Sequence, residues 1–474
     1  MKPLSLVDQI FLWLERRQQP MHVAGLQLFE FPEEAGPEYV TELADFCKAF
    51  TQPTAPFDKR LYSRWGRFYW GKDPQFDLEH HFRHEALPKP GRIRELLALV
   101  SAEHSHLMDR ERPLWQAHLI EGFQDRRFAL YSKIHHSLTD GVSAMRMAQR
   151  ALSTNPNQRN MPPPWAQNMT RKPHEGPVMP TDVIGSLRHL LEDVTEQVST
   201  IPGVVSALYR TIRDAQEHPD YGLLYDAPPC ILNQKITGSR RFAAQSWSLE
   251  RLKTIGKAFD ATLNDVVLAQ CASALRAYLL SQNALPEKPL VAMVPMNLRQ
   301  DDGIGGNQIG MIITSLATHI EDPAARLLAI QDSIQACKDR FASMTPAEIV
   351  NYTALTLAPA GIQLLTGMVP KLQTFNVIIS NVPGPREPLY WNGARLQGMY
   401  PVSIVLDRMA LNITLTSYAD QLEFGLIGCR RTLPSLQRLL DYLENGLLEL
   451  EAAAGITSAT TRKKGRSRRK SGTA

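Results

Sequence analysis

Seven prolines crowd the stretch from Pro156 to Pro180: Pro156, Pro162, Pro163, Pro164, Pro173, Pro177 and Pro180. Each fixes φ and removes a backbone donor, so neither a helix interior nor a central strand passes through them. The chain is therefore predicted to fold as one body on either side of an irregular connection. With 474 residues, 43% of them hydrophobic, it has apolar material for two large cores. Beyond the prolines, Val183, Leu187, Leu190, Leu191, Val194 and Val198 recur at helical spacing until Pro202-Gly203, which predicts a crossover helix. The predicted division is an N-terminal domain over 1–153, linker and crossover helix over 154–216, a C-terminal domain over 217–455 and a tail over 456–474.

In the first body, Ser5 and Asp8 form a capping-box-like pair opening an amphipathic helix that also carries Glu15, Arg16 and Arg17, which argues against a signal peptide. Met21 to Phe31 alternates apolar and polar residues, predicting a half-buried strand, and Glu38 to Phe50 reads as a helix. Three histidines and two glutamates between Glu79 and Glu85 suggest a metal cluster. Period-two alternation from Phe76 opposes it, setting His80 and His84 on one face with Phe76, Leu78 and Phe82, and His81 with Glu79 and Glu85 on the other. His104 and His106, in a helix predicted over Ile93 to Met108, are read in the same way, as packing and surface residues. Gln116 to Glu121 and Phe128 to His135 predict a hairpin.

In the second body, Leu249 to Phe259 and Asn264 to Leu280 read as helices, the second capped by Asn264. Leu290 to Met296, Phe375 to Ser380, Ser403 to Leu406 and Leu411 to Tyr418 read as strands, and Pro434 to Ala453 as a closing helix. Gly303, Gly305, Gly306 and Gly310 invite comparison with nucleotide-binding loops. Gln308 stands where a dinucleotide loop needs its third glycine, and no Lys-Ser or Lys-Thr pair completes a P-loop.

Cys47, Cys230, Cys271, Cys337 and Cys429 are odd in number and scattered, which argues for a reducing compartment and against a disulfide or zinc framework. Net charge is +4, but the tail holds Arg462, Lys463, Lys464, Arg466, Arg468, Arg469 and Lys470 with no acid, leaving the rest at −3. The tail is either a solvated terminus or a tether to anionic lipid, and no motif points to nucleic acid. The 22 residues from Ile349 to Pro370 carry no charge, yet Pro359, Gly361 and Gly367 break them, so a spanning helix is disfavoured against buried helices or a greasy lipid-facing surface.

The chemistry concentrates at His135-His136-Ser137-Leu138-Thr139-Asp140-Gly141, where the strand from Phe128 gives way to the helical pattern Val142, Met145, Gln149, Leu152. An imidazole there suits taking and returning a proton near neutrality. Asp140 can orient an imidazole, cap the helix or pair with an arginine, and Gly141 lets the backbone turn. The bare pair leaves other readings open. Adjacent histidines on extended backbone point apart, so zinc would need distant ligands. No G-x-S-x-G elbow occurs, although Ser137 remains a nucleophile candidate. Two satisfied core histidines are as probable as a site on this motif alone.

The longer pattern is more specific. His135-His136-x-x-x-Asp140-Gly141, with Pro113-Leu114-Trp115 before it and Leu263-Asn264-Asp265-Val266 and Ser380-Asn381-Val382-Pro383-Gly384-Pro385 after it, resembles the bacterial wax ester synthase/acyl-CoA:diacylglycerol acyltransferase family. Pro20-Met21-His22-Val23-Ala24-Gly25 and Leu411-Asn412-Ile413-Thr414 are similar to it as well, with Ala24 where the family pattern has glycine. The His-His-x-x-x-Asp-Gly element by itself is shared with chloramphenicol acetyltransferases and condensation domains. The resemblance implies an α/β fold of two chloramphenicol-acetyltransferase-like sandwich domains with a substrate tunnel at their interface. It implies esterification of long-chain alcohols or diacylglycerol with fatty acyl-CoA as co-substrate, without metal or other cofactor. His136 would be the general base, His135 and Asp140 would shape the site, and Gly141, Pro113, Leu114, Trp115, Asn264, Asp265 and Asn381 would support it, with Asn264 and Asn381 also candidates for the oxyanion donor. The expected setting is cytoplasmic, peripheral on a membrane or lipid-droplet surface. The competing readings are a condensation-type acyltransferase and a lipid-binding protein without turnover.

Overall fold

In the computed structural model of the chain, residues 1–4, 6–65, 67–139, 141–167, 227–297, 309–342, 344, 349, 352, 356 and 373–456 are described. Ser5, Asp140, the predicted crossover helix, the glycines from Gly303 to Gly306, nearly all of the uncharged span and the basic tail lie outside them.

The first half contains β1 (Lys2–Pro3), α1 (Leu6–Leu14), β2 (His22–Glu30), α2 (Tyr39–Lys48), β3 (Lys59–Arg64), β4 (Arg67–Lys72), β5 (Phe82–Ala86), α3 (Ile93–Glu103), β6 (Trp115–Glu121), β7 (Arg127–His135) and α4 (Gly141–Arg150). The second contains β8 (Arg240–Ser248), α5 (Leu249–Ala258), α6 (Leu263–Ser281), β9 (Val291–Asn297), β10 (Ile309–Ser315), α7 (Pro323–Ala342), β11 (Val377–Val382), β12 (Tyr390–Trp391), β13 (Ala394–Val402), β14 (Leu411–Tyr418), β15 (Gln421–Cys429) and α8 (Arg438–Ala453). The strands form two six-stranded sheets, β12-β13-β2-β7-β6-β5 and β10-β9-β11-β14-β15-β8, with a small sheet β1-β4-β3 beside them.

The second half lends chain to the first sheet. β13, from the second half, completes the first sheet by pairing antiparallel with β2, Val402 opposite Ala24 and Leu396 opposite Phe29. Gly384 makes the exit from β11 possible: its N–H donates to Ser417 Oγ at 2.9 Å, and a Cβ there would stand 2.0 Å from the Ser417 carbonyl oxygen. At the other end of the crossover, β13 runs so close to β15 that a Cβ on Gly425 would meet the Pro401 carbonyl oxygen at 1.8 Å. Only glycine fits either approach. Behind the second sheet, α6 is buried at every residue from Asp265 to Leu275, the pattern of a helix enclosed on all sides.

Three expectations need correction. The strand predicted from Phe76 is a 3₁₀ turn, Leu78–His80, followed by β5, because the Asp77 carboxylate accepts the Glu79 N–H at 3.1 Å and curls the chain. The alternation is thereby reset: His81 is buried, stacked on Trp115 at 4.7 Å and Phe76 at 5.0 Å, whereas His80 is exposed. Ser403 to Leu406 is not a strand, since pairing ends at Val402 and Leu406 makes only an isolated bridge to Met409. The cap of α6 is Thr262 rather than Asn264. Its hydroxyl accepts the Asp265 N–H at 3.3 Å and the Asp265 carboxylate accepts the Thr262 N–H at 2.8 Å, a capping box. The five cysteines are free, as expected.

Candidate active site

The His-His turn is clamped from both sides of β7. His135 donates its backbone N–H to the Leu114 carbonyl at 2.9 Å, and His136 donates to that of Met21 at 2.9 Å. Two of the sequence motifs thus converge on the turn through backbone hydrogen bonds. Leu138 N–H closes it by donating to the His135 carbonyl at 2.9 Å, and Gly141 opens α4 directly after.

On extended backbone the two rings face opposite sides of the sheet. His135 is fully buried. Its Nδ1 accepts the Ser137 backbone N–H at 3.1 Å and lies 2.6 Å from Ser137 Oγ, so in the neutral ring the proton sits on Nε2, 3.3 Å from Glu15 Oε1. Glu15 is held on its other oxygen by Arg110 at 2.9 Å. Burial alone would raise the Glu15 carboxyl, but the hydrogen bond and charge of His135, joined by those of Arg110, outweigh it and hold it at about 2. Ser137, His135 and Glu15 have the connectivity of a hydrolytic triad, yet Ser137 is 2% exposed and, like His135, does not line the cavity described next. The chain uses the arrangement to fix the turn.

His136 stacks on Phe11, centroids 4.4 Å apart, and lines a largely apolar cavity between the two sheets. Val23, Gly25 and Gln27 of β2, Trp115 of β6, Ala144 and Met147 of α4, and Met399 and Val402 of β13 form one wall; Ile378, Ser380 and Val382 of β11 with Asn412 and Thr414 of β14 face them. Lys133, one turn of the pleat before the histidines, also lines the cavity. Its ammonium donates to the Glu103 and His106 carbonyls at 2.9 and 3.3 Å, and burial lowers it to about 8. Behind it His104 joins Tyr131 Oη at 2.9 Å and the Ser403 carbonyl at 3.0 Å, while its own carbonyl lies 3.0 Å from His22 Nε2. Burial holds His104 at about 3 and His22 well below its ordinary value, so both are neutral packing residues.

The remaining predicted residues divide. Trp115 walls the cavity and donates its indole N–H to the Phe57 carbonyl at 2.8 Å. Pro113 accepts the Trp115 N–H at 2.9 Å, and Leu114 is the clamp on His135. Asn264 and Asp265 start α6 and are not part of the cavity lining; Asp265 serves the capping box. Asn381 alternates away from Ile378, Ser380 and Val382, so its amide is on the far face. Neither amide is therefore placed to meet an oxyanion in the cavity. Asn412 is. Its Oδ1 accepts the Thr414 hydroxyl at 2.8 Å, which orients the carboxamide with its NH₂ as the donor end. Sequence reasoning passed over Glu15, Lys133 and Asn412; the available signals were a lone lysine inside an apolar strand and the Leu411–Thr414 motif itself. Among the described residues, no group of three His, Cys, Asp or Glu side chains is placed to hold a metal.

Two mixed sheets, the first completed by strands from the second half of the chain, with a histidine turn buried between them, define the fold class of the condensation domains. The first condensation domain of the calcium-dependent antibiotic synthetase superposes with a TM-score of 0.59 at 14% identity, covering 98% of each chain, a likeness of fold alone. The sequence is more particular: residues 4–267 match the wax ester synthase/diacylglycerol acyltransferase catalytic domain and residues 305–451 match the WS/DGAT C-terminal domain. The chain belongs to the wax ester synthase/diacylglycerol acyltransferase family. It is 49% identical to the O-acyltransferase WSD of Acinetobacter baylyi over 96% of this chain and 98% of that one, and 44% identical to a probable diacylglycerol O-acyltransferase of Mycobacterium tuberculosis over 95% and 98%. The wax ester synthase/diacylglycerol acyltransferase of Marinobacter aquaeolei matches in structure with a TM-score of 0.80 and 58% identity, covering 96% of this chain and all of that one.

Proposed function

We propose that this protein is an O-acyltransferase that esterifies long-chain alcohols, giving wax esters, and diacylglycerol, giving triacylglycerol, with fatty acyl-CoA as co-substrate and no separate cofactor. The observation that carries the proposal is the clamped His136, whose ring lies in an apolar cavity at the seam of the two sheets. His136 takes the proton from the substrate hydroxyl as that oxygen attacks the thioester carbonyl. The Asn412 amide donates to the oxyanion of the tetrahedral intermediate. The carbonyl re-forms, the C–S bond breaks, and His136 returns the proton to the CoA thiolate. No acyl-enzyme is formed. An apolar cavity suits two alkyl chains and keeps water from competing for the thioester.

The family match and the cavity favour lipid acceptors over the condensation-type reading, and a buried, positioned base favours turnover over passive lipid binding. Among the described residues no helix is long and apolar enough to cross a membrane. We place the enzyme in the cytoplasm, peripheral on a membrane or lipid-droplet surface, without a nucleic-acid partner. Incubation with palmitoyl-CoA and hexadecanol, or with dioleoylglycerol, should release CoA and form the ester in equal amounts. CoA release without ester, or neither product, would overturn the proposal.

A further inference from the structure

A second recess lies across the turn between Leu406 and Met409 from the catalytic cavity. Two adjoining hollows, sharing Lys235, Ile236 and Thr237, bring together Arg17 from the α1–β2 turn, Lys235 from the segment before β8, Arg408 from the turn itself and Arg431 from beyond β15. None of these four cations forms an ion pair among the described residues, and the acid in the lining, Asp407, accepts the Ile236 backbone N–H at 3.0 Å. Outside its tail the chain has a net charge of −3, so the clustering is a local feature and not a reflection of a basic protein.

The recess is close to the reacting centre. Leu406 lines the catalytic cavity and Asp407 lines the recess, so the partition between them is a single turn of chain. Arg17 is four residues from Met21, whose carbonyl holds His136, a reach of at most about 14 Å along the chain. Fatty alcohol and diacylglycerol are uncharged. The one polyanionic reactant is the donor, whose phosphates stand a pantetheine arm away from its thioester.

Resting on the acyltransferase reading, we infer that Arg17, Lys235, Arg408 and Arg431 form the cleft that binds the phosphates of acyl-CoA, with the pantetheine arm passing the Leu406–Met409 turn toward His136. The cations would then set donor affinity and leave the chemical step alone.

The test compares palmitoyl-CoA with S-palmitoyl-pantetheine, which lacks the nucleotide, using hexadecanol as acceptor and the wild type, Lys235→Ala and Arg408→Ala/Arg431→Ala. The inference expects KM for palmitoyl-CoA to rise about tenfold for each phosphate-contacting cation removed, with kcat unchanged and KM for the pantetheine thioester unmoved. KM values that do not change, or that rise equally for both donors, would overturn it. So would variants that keep their palmitoyl-CoA kinetics but lose binding to phosphatidylglycerol vesicles, because the cleft would then serve lipid headgroups. Calorimetric binding of free CoA separates this inference from the esterification: CoA binding weakened in the variants upholds the cleft even in a protein that makes no ester.

Discussion

The Glu15 carboxylate lies 3.3 Å from Nε2 of His135, and Arg110 closes its other oxygen at 2.9 Å, so a carboxylate just past the end of the first helix holds the ring that precedes His136. The pair also carries a pH dependence. A carboxyl held at about 2 against an ordinary 4.5 contributes stability that is complete above pH 4.5 and is lost as pH falls toward 2. Glu15→Gln should therefore lower unfolding free energy by about 3 kcal/mol at neutral pH, with the gap from wild type narrowing in urea titrations below pH 4.5. It should also lower kcat, because the turn loses its anchor. A gap that is constant with pH would refute this role.

Ser137→Ala keeps the Ser137 backbone N–H that Nδ1 of His135 accepts and removes only the hydroxyl. Direct attack predicts activity within about threefold of wild type and no acyl-protein adduct by mass spectrometry after incubation with palmitoyl-CoA alone. A stable adduct, or a loss of a hundredfold or more, would point to a serine nucleophile.

Gly425→Ala should destabilise the protein by about 3 kcal/mol or more, because the new methyl would overlap the Pro401 carbonyl where β13 crosses β15. The shift in urea midpoint measures it. A change within about 0.5 kcal/mol would mean that the two sheets are not held this closely.

Much of the fold was legible in the sequence. Periodicity located β2, the β6–β7 hairpin, α5, α6, β14 and α8 because each buries one face or all faces along a regular repeat. It passed over β13 and β15, where Gly398, Pro401, Gly425 and Gly428 dilute the strand signal; at Gly425 the glycine is there for the close crossing, which only the folded chain defines. His81 was misplaced because one Asp77 side-chain hydrogen bond reset the alternation. The His-His turn was readable as a motif, since its residues are contiguous. The proposed oxyanion donor was not: Asn264, Asn381 and Asn412 are chemically alike, and only strand alternation and helix position decide which amide meets the cavity. Arg17, Lys235, Arg408 and Arg431 lie in four separate stretches of a chain with little net charge, so no local pattern could join them.

Asn412→Leu tests the proposed donor apart from the base. Removing one preorganised oxyanion hydrogen bond should lower kcat by about a hundredfold with little change in the KM for hexadecanol. An unchanged kcat would assign the oxyanion to another group.

The central claim is that His136 moves the proton in both halves of the reaction. The most direct measurement is the rate of hexadecyl palmitate formation by purified His136→Ala, with its melting temperature and its CoA binding recorded on the same sample. A general base predicts a rate at least about a thousandfold below wild type, with folding and CoA binding retained. A folded His136→Ala protein that keeps more than a tenth of wild-type activity would contradict the account.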